Sequence, residues 1–316
     1  MVALDKVLII ANMTSGRCRA GIDAGLLSGE LKDLGCVPEV LLSDCKDCTT
    51  KFFSENHGNT AGYTLLVILG GDGTVNFCLN EMRAHGWDDV PIYVMGRGSA
   101  NDFASHYKTN RSVAEVVKVL KTGKVVDVDV LEATAHKDGV PFNKYAINVT
   151  GGGAFTTGVT NYSNKQKKVL GRLAYILRAV WEAIVMKPQQ VEISYTDVEG
   201  VQQKITENIF LFFIVNCKHV GGMKNMAKNA DPTDGVLDLV FIRKCGIFAR
   251  AWMGLFTLSN KGGQNKRVIT IPVLAATAKP LGSVNKNFTV TDIDGNPGGD
   301  YPLGVRLAGK VKVLVP

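Results

Sequence analysis

A short glycine-rich loop near residue 70 constrains the fold of this chain more than any other feature. Residues 63–69 (YTLLVIL) are almost all apolar, and residues 75–82 continue as a helix-forming segment. An apolar run of this length predicts a strand that is buried on both faces, as in the centre of a parallel sheet. The sequence therefore predicts a strand–loop–helix unit of an α/β protein.

The loop itself, Gly70-Gly71-Asp72-Gly73-Thr74, is too small to present bulky side chains. Its three glycines allow positive φ angles and a close approach of the backbone to a ligand. Thr74 is expected to cap the following helix, whose free N–H groups attract anions. Asp72 would repel a phosphate unless a cation lies between them, so the loop predicts a nucleotide bound together with a divalent metal.

Strands and helices alternate from Lys6 to Gly123, which predicts an open α/β sheet. Ser112 and Glu115 have the spacing of a capping box at a helix start. Three polar or glycine-rich loops follow expected strands, and ligands of such sheets bind at the carboxyl ends of the strands. These loops are Asn12–Arg17, 70–74 and Gly96–Asp102, and the expected strands are Lys6–Ala11, Val37–Ser43, 63–69 and Pro91–Met95.

After Gly123 the pattern changes to hairpins, with turn-forming residues at 137–139 and 197–200. This pattern predicts a second, β-rich domain, most simply a sandwich. We therefore expect a nucleotide-binding α/β domain at residues 1–125 and a β-sandwich acceptor domain at residues 126–316. A last strand, 310–315, fits either domain. Further expected strands are Asn143–Thr150, Asn287–Thr291 and Val305–Leu307.

The composition, 46% hydrophobic and 21% charged, is that of a globular protein. No apolar run approaches the ~20 residues that span a bilayer, and we expect no signal peptide. Seven cysteines, an odd number, indicate reduced thiols and a cytoplasmic location. Cys45 and Cys48 form a lone CxxC, which we interpret as incidental because no second pair or neighbouring histidine completes a metal site; a redox role is the weaker alternative.

The net charge of +7 favours an anionic partner. Nucleic acid is not expected, because the chain has no zinc-finger spacing and no basic strand interleaved with aromatic residues. A basic amphipathic helix is predicted at Lys165–Lys187. It either packs on the sandwich with a solvated outer face or rests its basic face on anionic lipid headgroups, and both can hold at once.

The ordered loops resemble those of the diacylglycerol kinase catalytic domain family, which includes sphingosine and ceramide kinases, with NAD kinases as distant relatives. Residues 70–74 (GGDGT) are similar to its signature. Residues 98–104 (GSANDFA) are similar to its Gly-Thr-x-Asn-Asp-Phe-Ala loop. Residues 12–17 resemble its opening turn, with Met13 in place of proline. Residues 148–155, 167–175 and 231–238 resemble segments of the soluble bacterial lipid kinases.

That resemblance implies ATP as phosphoryl donor, with its phosphates on the loops of the first domain. It implies Mg²⁺ held by Asp72, Asp102 and Asp129, partly through water, with Asp127 as the fallback for Asp129. The implied nucleotide-binding residues are Asn12, Ser15, Gly16, Arg17, Gly70, Gly71, Asp72, Gly73, Thr74, Gly98, Ser99, Asn101 and Asn296.

The resemblance also implies a second, structural metal site formed by Asp231, Asp234 and the carbonyl of Val236. The alternative interpretation of this segment is a turn stabilised by hydrogen bonds from the aspartate side chains.

The family's general base lies in an Asp-Gly-Glu triplet, which reads Asp294-Gly295-Asn296 here. Asp294 is therefore implied to accept the proton of the lipid hydroxyl, and Asp72 to act at the nucleotide. Asn296 departs from the pattern by losing a charge. Asp292 and Asp300 lie nearby in the sequence and are candidates to compensate for it.

The sequence thus predicts an ATP-dependent, Mg²⁺-requiring lipid kinase that phosphorylates diacylglycerol or a similar lipid alcohol, giving phosphatidic acid. It would act peripherally at the inner face of the membrane, and a homodimer is left open. One alternative is a nucleotide- or lipid-binding regulator whose catalysis is impaired by Asn296. A second alternative is a kinase of a soluble substrate such as NAD.

Overall fold

The strand β3 (Leu65–Gly70) is buried along its whole length, as the apolar run in the sequence predicts. The computed structural model describes residues 5–14, 19–60, 62–109, 112–153, 185–250 and 266–316. The chain divides into two compact units, one of Met1–Val130 with Gly309–Pro316 and one of Leu131–Ala308. The sequence-based division at residue 125 falls near the start of a long strand that begins in the first unit and ends in the second.

Parallel strands form the sheet of the first unit in the order β4–β3–β1–β2. Val313, near the end of the last strand, pairs with Ile92 in parallel, so the end of the chain extends this sheet beside β4. The continuous apolar runs place buried residues on both faces of the strands, as in other parallel sheets. The remaining strands are β1 (Lys6–Asn12), β2 (Val37–Ser43) and β4 (Ile92–Gly96).

Two helices cover one face of this sheet. The apolar side chains of α1 (Ala20–Asp33) and α5 (Val113–Thr122) pack on alternate residues of β1 and β3 in a single buried cluster. The capping box predicted at the start of α5 is confirmed, because Ser112 and Glu115 bond reciprocally to each other's backbone N–H groups. The other helices are α2 (Lys46–Glu55), α3 (Asp72–Ala84) and α4 (Asp102–His106).

The second unit is a β-sandwich-like structure of antiparallel strands, which confirms the predicted class. Both predicted hairpins form, between β5 and β6 and between β8 and β9. Its buried apolar residues form two clusters. The strands are β5 (Lys124–Lys137), β6 (Val140–Ala146), β7 (Val149–Gly153), β8 (Gln189–Asp197), β9 (Gln202–Val215), β10 (Leu237–Arg243), β11 (Val268–Pro280), β12 (Thr291–Ile293) and β13 (Asn296–Val315).

Two of the expected strands in this unit are wrong. The segment 143–150 is broken at Ile147, because the N–H groups of residues 147–149 donate to the carboxylate of Asp294 instead of to a neighbouring strand. The segment 287–291 contains a 3-10 turn at Lys286–Phe288, since the side chain of Asn285 caps that turn. The short strand expected at 305–307 and the one at 310–315 are parts of the single long strand β13.

The basic helix expected at Lys165–Lys187 lies outside the described residues up to position 184. None of the described helices is both long and apolar enough to cross a membrane.

Candidate active site

The glycine loop works differently from the expectation based on its sequence. Gly71 has φ −93° and ψ −178°, Gly73 lies within α3, and α3 already begins at Asp72. Positive φ angles and capping by Thr74 are therefore wrong here, because the helix starts two residues before the threonine. The close approach of backbone segments is what requires glycine: a Cβ on Gly70 would lie 2.5 Å from Cβ of Thr74.

Thr74 has another role, which joins the first two predicted phosphate loops. Its Oγ1 accepts a 2.8 Å hydrogen bond from Nδ2 of Asn12, at the end of β1. Oδ1 of Asn12 in turn accepts from the backbone N–H of Thr14 at 2.9 Å, so the side chain also closes the turn that follows. Ser15, Gly16 and Arg17, which complete this predicted site, lie outside the described residues.

The third loop packs directly on the second. A Cβ on Gly98 would lie 2.5 Å from Cα of Gly71, so only glycine fits at position 98. Asn101 fixes the loop: its side chain accepts from Gly98 N at 2.7 Å and donates to Gly98 O at 2.9 Å. Asn101 itself has φ 53°, in the left-handed region, where asparagine is well tolerated. Ser99 is exposed at the tip.

The carboxylate of Asp72 links the loops after β3 and β4. Its carboxylate accepts backbone hydrogen bonds from Asp102 and Phe103, each at 3.1 Å, and so satisfies the free N–H groups at the start of α4. The structure therefore brings the backbone N–H of Asp102 to the carboxylate of Asp72, and the shared metal site of the two carboxylates stays a prediction. Each Asp72 oxygen uses one lone pair in this way and keeps another for a cation or its bound water.

The predicted magnesium site consists of carboxylates of the first unit. Mg²⁺ commonly binds through one or two carboxylates together with substrate phosphates and waters. Among the residues described, Asp72, Asp102 and Asp129 do not form a group whose oxygens all lie within 4.8 Å of one another. Asp129 is buried and pairs with Lys310 at 3.3 Å. Its role as a metal ligand, and that of Asp127, stay predictions.

Arg97 and Asp23 form an ion pair that the sequence analysis missed. Nε of Arg97 donates to Oδ2 of Asp23 at 2.5 Å, and Nη1 donates to the carbonyl of Gly96 at 2.9 Å. This pair joins α1 to the loop after β4, which is one of the three predicted ligand loops. The wide separation of the two residues in sequence leaves no local pattern that would reveal the contact.

The predicted structural metal site has the geometry of an Asx turn. Oδ1 of Asp231 accepts from the N–H and the hydroxyl of Thr233, at 3.0 and 2.7 Å, and Oδ1 of Asp234 accepts from Val236 N at 2.9 Å. Burial, and then the charge of Asp234, raise the pKa of Asp238 to about 6. A cation at Asp231, Asp234 and Val236 remains a prediction.

Asp294 is held by three backbone groups. Its carboxylate accepts from Ile147 N at 2.8 Å, Asn148 N at 3.0 Å and Val149 N at 2.8 Å, and the side chain is 3% exposed. The residue has φ 49° in the tight turn between β12 and β13. Asp294 therefore fastens this turn to the β6–β7 connection.

Asp292 is the more accessible of the two carboxylates at this turn. Its side chain is partly exposed, and Oδ1 accepts from Gly295 N at 2.9 Å. The pKa of Asp292 is raised to about 6, mainly by burial and also by the negative charge of Asp294. The hydrogen bond from Gly295 and the positive charge of Lys144 lower it. A carboxyl with this pKa is suited to proton transfer near neutral pH.

Asn296 does not extend from the turn as an acceptor group. Its Nδ2 donates to the carbonyl of Asp294 at 3.3 Å. The amide therefore helps to close the turn, whereas a carboxylate at this position would lack that donor.

Two features now define the class of this protein: a parallel α/β unit with glycine loops packed at its strand ends, and a β-sandwich-like unit with one buried and one partly exposed carboxylate at a hairpin. The diacylglycerol kinase catalytic domain matches residues 6–133. The YegS C-terminal NAD kinase beta sandwich-like domain matches residues 149–315, more than half of the chain. The chain belongs to the diacylglycerol kinase-like family that these two domains define.

Similar proteins carry the same description. A diacylglycerol kinase of Staphylococcus carnosus (strain TM300) is 26% identical over 256 residues, which cover 80% of this chain and 77% of that one. A diacylglycerol kinase of Bacillus subtilis (strain 168) is 28% identical over 187 residues, covering 58% and 57%. The crystal structure of a diacylglycerol kinase from Bacillus anthracis str. Sterne has a TM-score of 0.68 at 18% identity, with 99% and 97% coverage, and shows the shared fold.

The three backbone bonds of Asp294 lead to a stability prediction. Replacement Asp294→Asn puts an N–H donor where one of the backbone donors now points, while asparagine still tolerates the positive φ. We expect a loss of about 3 kcal/mol of local stability, since these hydrogen bonds have a charged acceptor. Hydrogen–deuterium exchange of the peptide that contains residues 147–149 measures it.

Asp300→Asn is the matched control, because Asp300 is exposed. Unchanged protection of residues 147–149 in Asp294→Asn would show that the carboxylate does not hold this connection.

Proposed function

We propose that this protein is an ATP-dependent lipid kinase that transfers the γ-phosphoryl group to the hydroxyl of diacylglycerol or a similar lipid alcohol. The observation that supports this most directly is the contact of the loops after β3 and β4, made by Gly98 on Gly71 and by Asp72 on the start of α4. Together they form a backbone-lined site of the kind that binds phosphates, within a chain of a diacylglycerol kinase-like family.

The first unit would hold the nucleotide. The phosphates would lie on residues 70–74 and on the loop at Gly98, Ser99 and Asn101, with Asn12 and the residues 15–17 beside them. Asp72 and Asp102 would hold Mg²⁺ partly through its waters, and the ion would neutralise charge on the transferred phosphoryl group.

The turn between β12 and β13 would receive the proton of the acceptor. The resemblance to the family implies this role for Asp294, and it stays a prediction. The contacts favour Asp292 instead: three N–H groups engage the carboxylate of Asp294, whereas Oδ2 of Asp292 has no hydrogen-bond partner among the described residues. Asp294 would then position the turn, and Asn296 would close it.

A patch of the second unit suits contact with an anionic lipid surface. Ile247 is 49% and Phe248 89% exposed, and Phe248 is the most exposed large apolar side chain in the described ranges. Three exposed basic residues lie close to them: Lys244, Lys266 and Arg267. The backbone hydrogen bond from Arg243 N to Arg267 O brings the two segments together. The nearby Glu207 is paired with Arg243. Apolar insertion and basic charge together attract a peripheral protein to anionic headgroups.

The proposed activity is tested with purified protein, ATP labelled in the γ-phosphate and mixed micelles of diacylglycerol, ceramide or a monoacylglycerol, with NAD as the soluble acceptor. We expect labelled phosphatidic acid that requires Mg²⁺. Asp72→Ala should lower kcat at least about a hundredfold, because the metal loses a ligand and the N–H groups at the start of α4 lose their acceptor.

Other outcomes distinguish the alternatives. Label in NAD would identify a soluble-substrate kinase. ATP binding without turnover, restored by Asn296→Glu, would identify a regulator that has lost catalysis.

The role of Asp292 predicts a pH profile. Only its ionised form accepts a proton, so kcat should rise with pH through about 6 and level off above it. Asp292→Asn should lower the plateau by about a hundredfold or more and abolish this acidic limb. Asp300→Asn should retain both. If Asp292→Asn keeps the limb and the rate, another group accepts the proton.

Membrane contact is tested by sedimentation with vesicles of phosphatidylglycerol and of phosphatidylcholine. Phe248→Ser should weaken binding to the anionic vesicles about tenfold or more, because the burial of one phenylalanine contributes about 2 kcal/mol. Val198→Ser, which replaces an exposed residue at the β8–β9 turn, is the control. Equal binding of all three proteins would exclude residue 248 from the contact.

A further inference from the structure

Two thiols meet at the beginning of α2, apart from the residues assigned to substrate. Cys45 is the N-cap residue of this helix and Cys48 is its third residue, and their sulfur atoms are 2.8 Å apart. Both side chains are exposed. Of the other cysteines in the described ranges, Cys36, Cys78 and Cys217 are buried and Cys245 is partly buried. The exposed pair is therefore the one that a dissolved reagent reaches most easily.

The two thiols are chemically distinct. The pKa of Cys48 is raised to about 11, mainly by its hydrogen bond to Cys45 and then by burial and the neighbouring Asp44. The Cys48 thiol also donates to Oδ1 of Asp44 at 3.5 Å. The arrangement thus favours Cys45 as the sulfur that attacks first, because Cys48 keeps its proton in these hydrogen bonds.

A bond between the sulfurs fits this geometry better than a metal ion. Asp44, Cys45 and Cys48 place one ligand atom each within 4.8 Å of the others, so a cation has to be considered. Thiolates that share a tetrahedral zinc ion are about 3.8 Å apart, from Zn–S bonds of about 2.3 Å, and structural zinc sites use four protein ligands. The observed 2.8 Å is shorter, and this group supplies three ligands.

We propose that Cys45 and Cys48 form a reversible disulfide by exchange with a low-molecular-weight disulfide such as oxidised glutathione. The Cys45 thiol loses its proton to solvent and its sulfur attacks one sulfur of the reagent; the S–S bond of the reagent breaks, a mixed disulfide forms, and the first glutathione thiolate leaves and takes up a proton. Cys48, freed from its hydrogen bond to Cys45, loses its proton to solvent and attacks the Cys45 sulfur. The second glutathione thiolate leaves and takes up a proton, so the protein loses two electrons and two protons and the reagent gains them.

Ser43 connects this pair to the turn predicted to bind phosphate. Its carbonyl accepts from Met13 N at 2.9 Å, in the turn after β1. Its hydroxyl donates to the carbonyl of Cys45 at 3.0 Å and accepts from the buried Thr49 at 2.9 Å. We expect a change in the backbone at Cys45 to reach Met13 through Ser43, so the disulfide should alter nucleotide affinity. This consequence rests on the proposed function, whereas the disulfide itself does not.

The disulfide is tested on the full chain in a series of glutathione redox buffers, by alkylation of free thiols and mass spectrometry of the peptides. We expect the peptide with Cys45 and Cys48 to become lighter by two hydrogen atoms and to resist alkylation, with reversal by dithiothreitol. Cys45→Ser should lose this product, and Cys48→Ser should stop at the mixed disulfide with glutathione. Cys245→Ser should oxidise as the wild type does.

Three results would overturn the disulfide: free thiols at both positions in the most oxidising buffer, pairing with a cysteine elsewhere, or zinc bound in a one-to-one ratio that Cys45→Ser abolishes. Nucleotide coupling is measured separately, as the affinity of a fluorescent ATP analogue for oxidised and reduced protein. A change of threefold or more that is absent in Cys48→Ser supports coupling. Equal affinities would refute coupling alone, and no analogue binding in either state would instead refute the nucleotide site.

Discussion

The carboxylate of Asp72 determines how the loops after β3 and β4 are arranged. It begins α3, yet its oxygens bond to the N–H groups that begin α4, so two helices that follow neighbouring strands share one charged side chain. The packing of Gly98 on Gly71 brings the two loops close enough for these bonds. Buried N–H groups at a helix start need an acceptor, and this acceptor also retains lone pairs for a cation.

In the second unit, too, a carboxylate accepts hydrogen bonds from backbone N–H groups. Asp294 satisfies three N–H groups of the β6–β7 connection, and this breaks a strand that the sequence pattern would continue. Its neighbour Asp292 keeps an oxygen for other contacts and has a raised pKa. Two carboxylates two residues apart thus differ in the hydrogen bonds that they accept and in their exposure.

Several contacts at this end of the sheet are not specified by the local sequence pattern. Gly98 is needed because of Gly71, the side chain of Asn12 bonds to Thr74, and Ser43 joins the Cys45 carbonyl to Met13. The contacts of Gly98 with Gly71, of Asn12 with Thr74 and of Ser43 with Met13 lie between segments distant in sequence, whereas Ser43 and Cys45 are close neighbours in the chain. These contacts lie at the turn and loops that the sequence predicts to bind phosphate.

Local patterns in the sequence determined the strands of the first unit, the capping box of α5 and the hairpins of the second, because burial, caps and turns depend on neighbouring residues. They also indicated the carboxylates at both sites. Only the tertiary structure decided which N–H groups those carboxylates bond. It also decided that Thr74 accepts from Asn12 instead of capping a helix, and that Asp292 is the accessible group at the turn. Hydrogen-bond partners come from distant segments, and sequence spacing does not encode their distances.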